Sequence, residues 1–123
     1  GYYIFIITNQ AGIGKNILKE SDFTKLQRNI KTKLQKLNIF INDVAYSPFH
    51  PNAKIKKYKK NSLTRKPGNL MIKRIDKNWH INLKKSFMIG DQVSDQICAK
   101  KSKLYFEFAK KNFYSQIKNI IKN

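Results

Sequence analysis

A chain of 123 residues, 41% of them hydrophobic, is long enough to bury one core and too short for more than one domain. No apolar run reaches membrane-spanning length, and the single cysteine, Cys98, excludes an internal disulfide and a thiolate-rich zinc cluster. Twenty-six Lys and Arg against seven Asp and Glu give a net charge of +19, which attracts polyanions. The lysines are spread along the whole sequence among many Asn and Ile, a pattern that a codon bias produces as readily as a binding face does. No secretory signal is visible, so a reducing, cytoplasmic setting is expected. The chain opens on Gly1 and enters a strand-like run at once, which leads us to expect that it begins inside a longer protein.

Tyr2 to Ile7 is a continuous apolar, β-branched and aromatic run, predicted as a buried parallel strand. It ends in Thr8-Asn9-Gln10 and a glycine-containing loop, Ala11 to Lys15. Ser21 is the expected N-cap of a helix from about Asp22 to Leu37, because Phe23, Leu26, Ile30, Leu34 and Leu37 recur at spacings of three and four. Val44 to Tyr46 reads as a short second strand. Residues 47–66 have no periodicity, and the loop they form contains the basic run Lys54 to Lys60. Pro67 at a first helical position predicts a helix running to about Trp79. Phe87 to Ile89 is a strand ending in Gly90-Asp91, followed by a helix over Val93 to Lys101, a strand at Leu104 to Phe106 and a helix over Phe113 to Ile121. This alternation predicts an α/β fold, a Rossmann-like parallel sheet with helices on both faces, in a single domain over 1–123.

Three strand-end or loop motifs carry candidate chemistry. Thr8 and Asn9 place a hydroxyl and an amide at a strand terminus, before a loop whose backbone N–H groups suit phosphate oxygens. Turn propensity explains the same residues. Gly12-Ile13-Gly14-Lys15 does not have the P-loop spacing. Arg65-Lys66-Pro67 puts two cations at an expected helix N-terminus, an anion site by dipole and charge, or an accident of a lysine-rich chain. Asp91 and Asp95 suit a hard Mg²⁺ ion, which takes one or two carboxylates beside phosphate and water. They also suit a turn and a helix N-cap. Phosphate cradle, cation and metal carboxylate together describe phosphoryl transfer.

The order of these pieces resembles the haloacid-dehalogenase-like phosphatases. The resemblance rests on Ile6-Ile7-Thr8-Asn9-Gln10-Ala11-Gly12-Ile13-Gly14, Tyr46-Ser47-Pro48-Phe49-His50-Pro51, Arg65-Lys66-Pro67 and Ser86 to Asp95, and runs from Tyr3 to about Lys101. The nearest branch is the D-glycero-D-manno-heptose 1,7-bisphosphate 7-phosphatases, with histidinol-phosphate phosphatases as relatives. The resemblance implies Mg²⁺-dependent phosphomonoester hydrolysis through an aspartyl-phosphate. Thr8 and Lys66 would contact the transferring phosphoryl group. Asn9, Gln10 and Arg65 would bind substrate, Asp91 would ligate Mg²⁺, and Asp95 would brace the metal shell. A phosphorylated sugar is the implied substrate, on the route to activated heptose for lipopolysaccharide. A monomer is expected, with no membrane partner and no specific nucleic acid.

Departures from that pattern carry expectations of their own. The family's catalytic Asp-x-Asp pair is absent from these 123 residues. The chain therefore reads as the C-terminal portion of the domain, missing the N-terminal strand that bears the pair, and as inactive by itself. Ser47, Ser62 and Thr64 stand where many relatives carry zinc-binding cysteines, and His50 alone is not a zinc site, so zinc is not expected. Gln92 occupies a position that is often Lys, and Leu70 one that is usually Gly. His50 is left as a structural or substrate-side residue, His80 as a helix-end contact and Cys98 as core. Rival readings are a histidinol-phosphate or polynucleotide 3′-phosphatase of the same superfamily, or a basic nucleic-acid-binding module. The last predicts affinity that falls steeply with salt.

Overall fold

The computed structural model describes residues 1–122. Among these residues there are four strands, five α-helices and two short 3-10 helices, in the order expected for a parallel α/β fold, the first α-helix being additional to those expected. Strand β1, Phe5–Asn9, pairs in parallel with β2, Asp43–Ser47, with Phe5 opposite Asp43 and Asn9 opposite Ser47. Strand β3, Phe87–Gly90, pairs in parallel with β4, Tyr105–Phe108. The parallel α/β class stands, but the sheet comes as two separate pairs rather than one continuous ladder.

Several element boundaries differ from expectation. β1 begins three residues later than predicted and runs through Thr8 and Asn9. Its start is fixed where Asn42 ties off the ladder, accepting from the Ile4 N–H through Oδ1 and donating to the Ile4 carbonyl, both at 2.8 Å. The loop after β1 is instead a single helical turn, α1, Ala11–Gly14, which places Ile13 in the core at 1% exposure. Helix α2 spans Glu20–Gln35 with Lys19 at the cap, so Ser21 lies inside the helix. Glu20 and Asp22 occupy its first turn, where negative charge favours the N-terminal dipole end.

Helix α3, Leu70–Trp79, starts three residues beyond Pro67. Residues 63–70 form a turn, closed by Gly68 N–H to Arg65 C=O at 2.8 Å and Leu70 N–H to Leu63 C=O at 3.1 Å. Gly68 is required there, since a Cβ would lie 2.3 Å from the Leu63 carbonyl oxygen. The consequence is that Arg65 and Lys66 do not sit at a helix N-terminus, and the dipole reading of that motif falls.

Helix α4, Val93–Lys101, and helix α5, Phe113–Lys122, follow β3 and β4 as expected. β4 itself runs two residues beyond the predicted Leu104–Phe106. The buried apolar residues include Met71, Ile72 and Ile75 on one face of α3, and Cys98 and Ala99 on α4. Cys98 is fully buried, and burial raises its thiol pKa. His80 caps α3 in the left-handed region at φ 49°, donating its N–H to Asp76.

Between the two strand pairs lies a cleft of about 1150 Å³, lined by β1, β3, α3 and α5. The strand pairs meet through side chains at its two ends. At one end the ring of Tyr2 stands edge-on to Phe87, with centroids 6.2 Å apart. At the other, Lys66 bridges the β1 carbonyl of Ile7 and the α4 residue Asp95. The starts of β1 and β3 are thus together and so are their ends. The two strands run in the same direction along opposite walls.

Candidate active site

Gly90-Asp91 forms the end of β3, and Asp95 one turn into α4 folds back over it. The Asp95 Oδ2 atom accepts from the Gln92 N–H at 3.0 Å and the Asp91 N–H at 3.1 Å. Gln92 caps the helix and its side chain accepts from the Asp95 N–H, completing a reciprocal capping box. Glycine at position 90 is dictated by this approach, because a Cβ there would lie 2.5 Å from Asp95 Oδ2. Asp95 is 3% exposed. Burial by itself would raise its pKa, but Lys66 and the amides of Gln92 and Asp91 outweigh burial and hold the carboxyl below its ordinary value of 3.8. With both oxygens engaged, Asp95 fixes the turn. Asp91 is exposed, and no hydrogen bond or ion pair among the described residues engages its carboxylate.

Lys66 is the cation of this site. Its Nζ lies 2.5 Å from Asp95 Oδ1 and donates to the Ile7 carbonyl at 3.4 Å. Its backbone is held by Asn9, whose Oδ1 accepts from the Lys66 N–H at 2.9 Å and whose Nδ2 donates to the Lys66 carbonyl at 3.2 Å. The Asn9 amide is therefore spent on locking the Arg65-Lys66 turn to the end of β1. The Thr8 hydroxyl accepts from Gln10 Nε2 at 2.9 Å and lines the cleft beside Lys66, Asp91 and Asp95. Thr8, Lys66, Asp91 and Asp95 thus converge at the carboxyl end of β1 and β3, where open α/β sheets bind ligands. Gln10 reaches this group only through Thr8.

Arg65 lies to one side, with a buried Nη1 that has no hydrogen-bond partner. It is close enough to His50 that its charge, with that of Lys15, adds to desolvation in lowering the imidazole pKa.

The long loop of residues 47–66 is held by hydrogen bonds at both ends. Among the described residues, no three His, Cys, Asp or Glu side chains gather to hold an ion. At Ser47, Ser62 and Thr64, the positions where the resemblance implies cysteines, the side chains form a hydroxyl chain. Ser47 Oγ lies 2.9 Å from Thr64 Oγ1, which lies 2.8 Å from Ser62 Oγ, and Ser47 and Thr64 are buried. The Gly14 carbonyl accepts from the Lys54 and Ile55 N–H groups, both at 2.9 Å, pinning the loop to α1.

Sequence inspection did not single out Glu20, which accepts from the phenols of Tyr46, at 2.5 Å, and Tyr58. These bonds lower the Glu20 pKa, and the bond to Glu20 pushes the Tyr58 phenol up to about 12. Tyr58 is thereby committed to tethering the basic loop to α2. The partners are 26 and 38 residues apart in the chain, so no local pattern marks them.

A sequence profile of the polynucleotide kinase 3 phosphatase family matches residues 1–120. The chain belongs to that family of haloacid-dehalogenase-like phosphatases. It is 38% identical over 100 residues to a D-glycero-beta-D-manno-heptose-1,7-bisphosphate 7-phosphatase of Rhodopseudomonas palustris, an alignment covering 81% of this chain and 56% of that protein. The chain spans about half the length of the curated relatives it matches. Its fold superposes on the crystal structure of a haloacid-dehalogenase-like phosphatase from Mesorhizobium loti with a TM-score of 0.86 at 19% identity, over 99% of this chain and 65% of the other. It also superposes on D,D-heptose 1,7-bisphosphate phosphatase from B. bronchiseptica, solved with magnesium and phosphate, with a TM-score of 0.73 at 15% identity, over 95% and 62% of the two chains.

Proposed function

We propose that this chain is the C-terminal portion of a single-domain phosphomonoester hydrolase acting on a phosphorylated sugar, specifically D-glycero-D-manno-heptose 1,7-bisphosphate, in the cytoplasmic synthesis of surface-polysaccharide heptose. The observation that carries this reading is the convergence of Thr8, Lys66 and Asp91 at one end of the cleft. The named substrate follows the curated relatives, which are heptose bisphosphate phosphatases.

The donor set fits part of a Mg²⁺ site. Asp91 offers one unengaged carboxylate, and Mg²⁺ needs no more than one or two beside phosphate oxygens and water. Asp95 serves by holding the Asp91-Gln92 backbone rather than as a ligand. Bound at Asp91, the ion would supply positive charge to the phosphoryl oxygens. Lys66, fixed by Asn9 and Asp95, places its ammonium where negative charge grows as the phosphoryl group transfers, and Thr8 donates its hydroxyl to a phosphoryl oxygen. Arg65 would bind the remainder of the substrate. The nucleophile is a carboxylate from outside these 123 residues. It attacks phosphorus, the ester P–O bond breaks, and the leaving sugar oxygen takes a proton from a second carboxylic acid, also from outside these 123 residues. Water then cleaves the acyl phosphate to inorganic phosphate and regenerates the carboxylate.

The test is phosphate release by a longer product of the same gene, with Mg²⁺ or with EDTA, from heptose 1,7-bisphosphate, histidinol phosphate and a polynucleotide 3′-phosphate. Preference for the heptose substrate with loss of activity in EDTA is expected. Preference for either other substrate would move the assignment within the superfamily. Phosphate release by the 123-residue chain alone would show that the external nucleophile is a wrong assignment.

A further inference from the structure

One carboxylate joins three elements of this fold. Glu20, the first residue of α2, accepts from the Tyr46 phenol of β2 at 2.5 Å and from the Tyr58 phenol in the loop of residues 47–66. Hydrogen bonds to an ionised acceptor are about twice as strong as neutral ones, and the N-terminal end of α2 favours the charge. Tyr58 carries this anchorage further. Its backbone carbonyl accepts from the His50 and Lys60 N–H groups, both at 3.0 Å, and its ring stands edge-on to Phe49 with centroids 5.3 Å apart. His50 is therefore held by a residue whose far end is fixed on Glu20. The His50 turn is also closed locally, its carbonyl accepting from the Ala53 N–H at 3.1 Å and its Nδ1 from the Asn52 N–H at 2.9 Å. With Nδ1 accepting, the neutral imidazole carries its proton on Nε2. No hydrogen bond among the described residues engages that donor. The Arg65 charge acts on the same imidazole, and Arg65 Nη1 is buried without a partner. Arg65 is placed independently, by the Asn9 clamp on the neighbouring Lys66 backbone.

We infer that Glu20 is a positioning residue for substrate: through Tyr58 it holds His50 beside Arg65, and His50 Nε2 donates to the substrate beyond its reacting phosphoryl group. This rests on the phosphatase reading above, in which Arg65 binds that remainder. Thr8, Lys66 and Asp95 are held by bonds to one another's neighbours at the ends of β1 and β3, none of them to Glu20 or Tyr58. The neck of the loop is shut by Ser47, Thr64 and Ser62, which also bond to one another and not to the Glu20–Tyr58 latch. Loosening the latch therefore costs binding of the remainder and spares the phosphoryl end. An interaction made equally with substrate and transition state appears in KM and not in kcat. A purely structural role predicts the opposite, fewer folded molecules and so a lower apparent kcat at constant KM.

The experiment measures KM and kcat with Mg²⁺ for the longer product of the same gene, on whichever of the three phosphomonoesters above it prefers. Glu20→Ala, Tyr58→Phe and His50→Ala should each raise KM about tenfold and leave kcat within about twofold. The double variant of Glu20→Ala with Tyr58→Phe should match Glu20→Ala alone, because the two changes break the same contact. Glu20→Gln keeps a carbonyl oxygen for a phenol and should recover part of the loss. Inorganic phosphate fills the phosphoryl end alone, so its inhibition constant should stay the same in every variant. Hydrogen exchange at the His50 and Lys60 amides should quicken about tenfold or more in Tyr58→Phe. An active protein whose KM is untouched by Glu20→Ala or by His50→Ala would overturn the inference alone. So would a fall in kcat at constant KM, or a matching loss of inhibition by inorganic phosphate. An unsubstituted protein that releases phosphate from none of the three substrates would overturn the phosphatase reading, and the positioning role with it.

Discussion

The residues that fix this site do so through short, buried, charged contacts. Removing one partner of the Lys66–Asp95 pair leaves the other charge buried and alone, a change that costs roughly 3–5 kcal/mol. Lys66→Met should therefore lower the unfolding free energy by about that amount in urea denaturation, and Asp95→Asn should do likewise. Asp91→Asn, exposed and unengaged, should shift it by less than about 0.5 kcal/mol. Equal losses at Asp91 and Asp95 would contradict their assigned division of labour. At Gly90, a methyl group collides with Asp95, so Gly90→Ala should cost about 1–3 kcal/mol. Glu20→Gln removes the charge that raises the Tyr58 phenol, so its pKa should fall from about 12 toward 10.0, as read from phenolate absorbance.

At the level of elements, the loop of residues 47–66 is held by side-chain hydrogen bonds at its ends and its middle. The hydroxyl chain of Ser47, Thr64 and Ser62 closes its two ends, and the Glu20 carboxylate holds its middle through Tyr58. Thr64→Val leaves the buried Ser47 hydroxyl without its partner and should cost about 1–3 kcal/mol. The legibility of elements followed their periodicity. α2 is marked by apolar residues at spacings of three and four and α3 by Pro67, and their extents come close. Their starts do not, because Lys19 and Asn69 are caps without side-chain bonds, and the turn at Arg65 to Asn69 is set by packing of Gly68 on Leu63.

For the whole molecule, acid and base act on different groups. Asp95 and Glu20 have pKa values below their ordinary 3.8 and 4.5, so their stabilisation is complete above those values and is lost as pH falls through the lower, folded-state values. Tyr58 is raised from 10.0 to about 12, so its contribution is complete below pH 10 and is lost as pH rises toward 12. Melting temperature against pH should show a plateau between these limits and fall on both sides. Asp95→Asn should flatten the acid limb, and Glu20→Gln should flatten both limbs. On the enzymatic reading, the charge of +19 should give only weak, sequence-indifferent binding to polyanions. A marked preference for one nucleic acid at physiological salt would favour the binding-module reading over the enzymatic one.

The sequence by itself determined the class of fold, the order of its elements and the motifs at the strand ends. Those are local properties, written in apolar runs, spacings and the Gly-Asp and Thr-Asn punctuation. Tertiary structure decided what the motifs do to one another. It turned Asn9 from a free amide into the clamp on Lys66, and it engaged both Asp95 oxygens while leaving Asp91 open. It also divided the expected sheet into two pairs around a cleft. Hydrogen bonds between residues 29 and 57 positions apart have no local signature because they depend on where the chain returns.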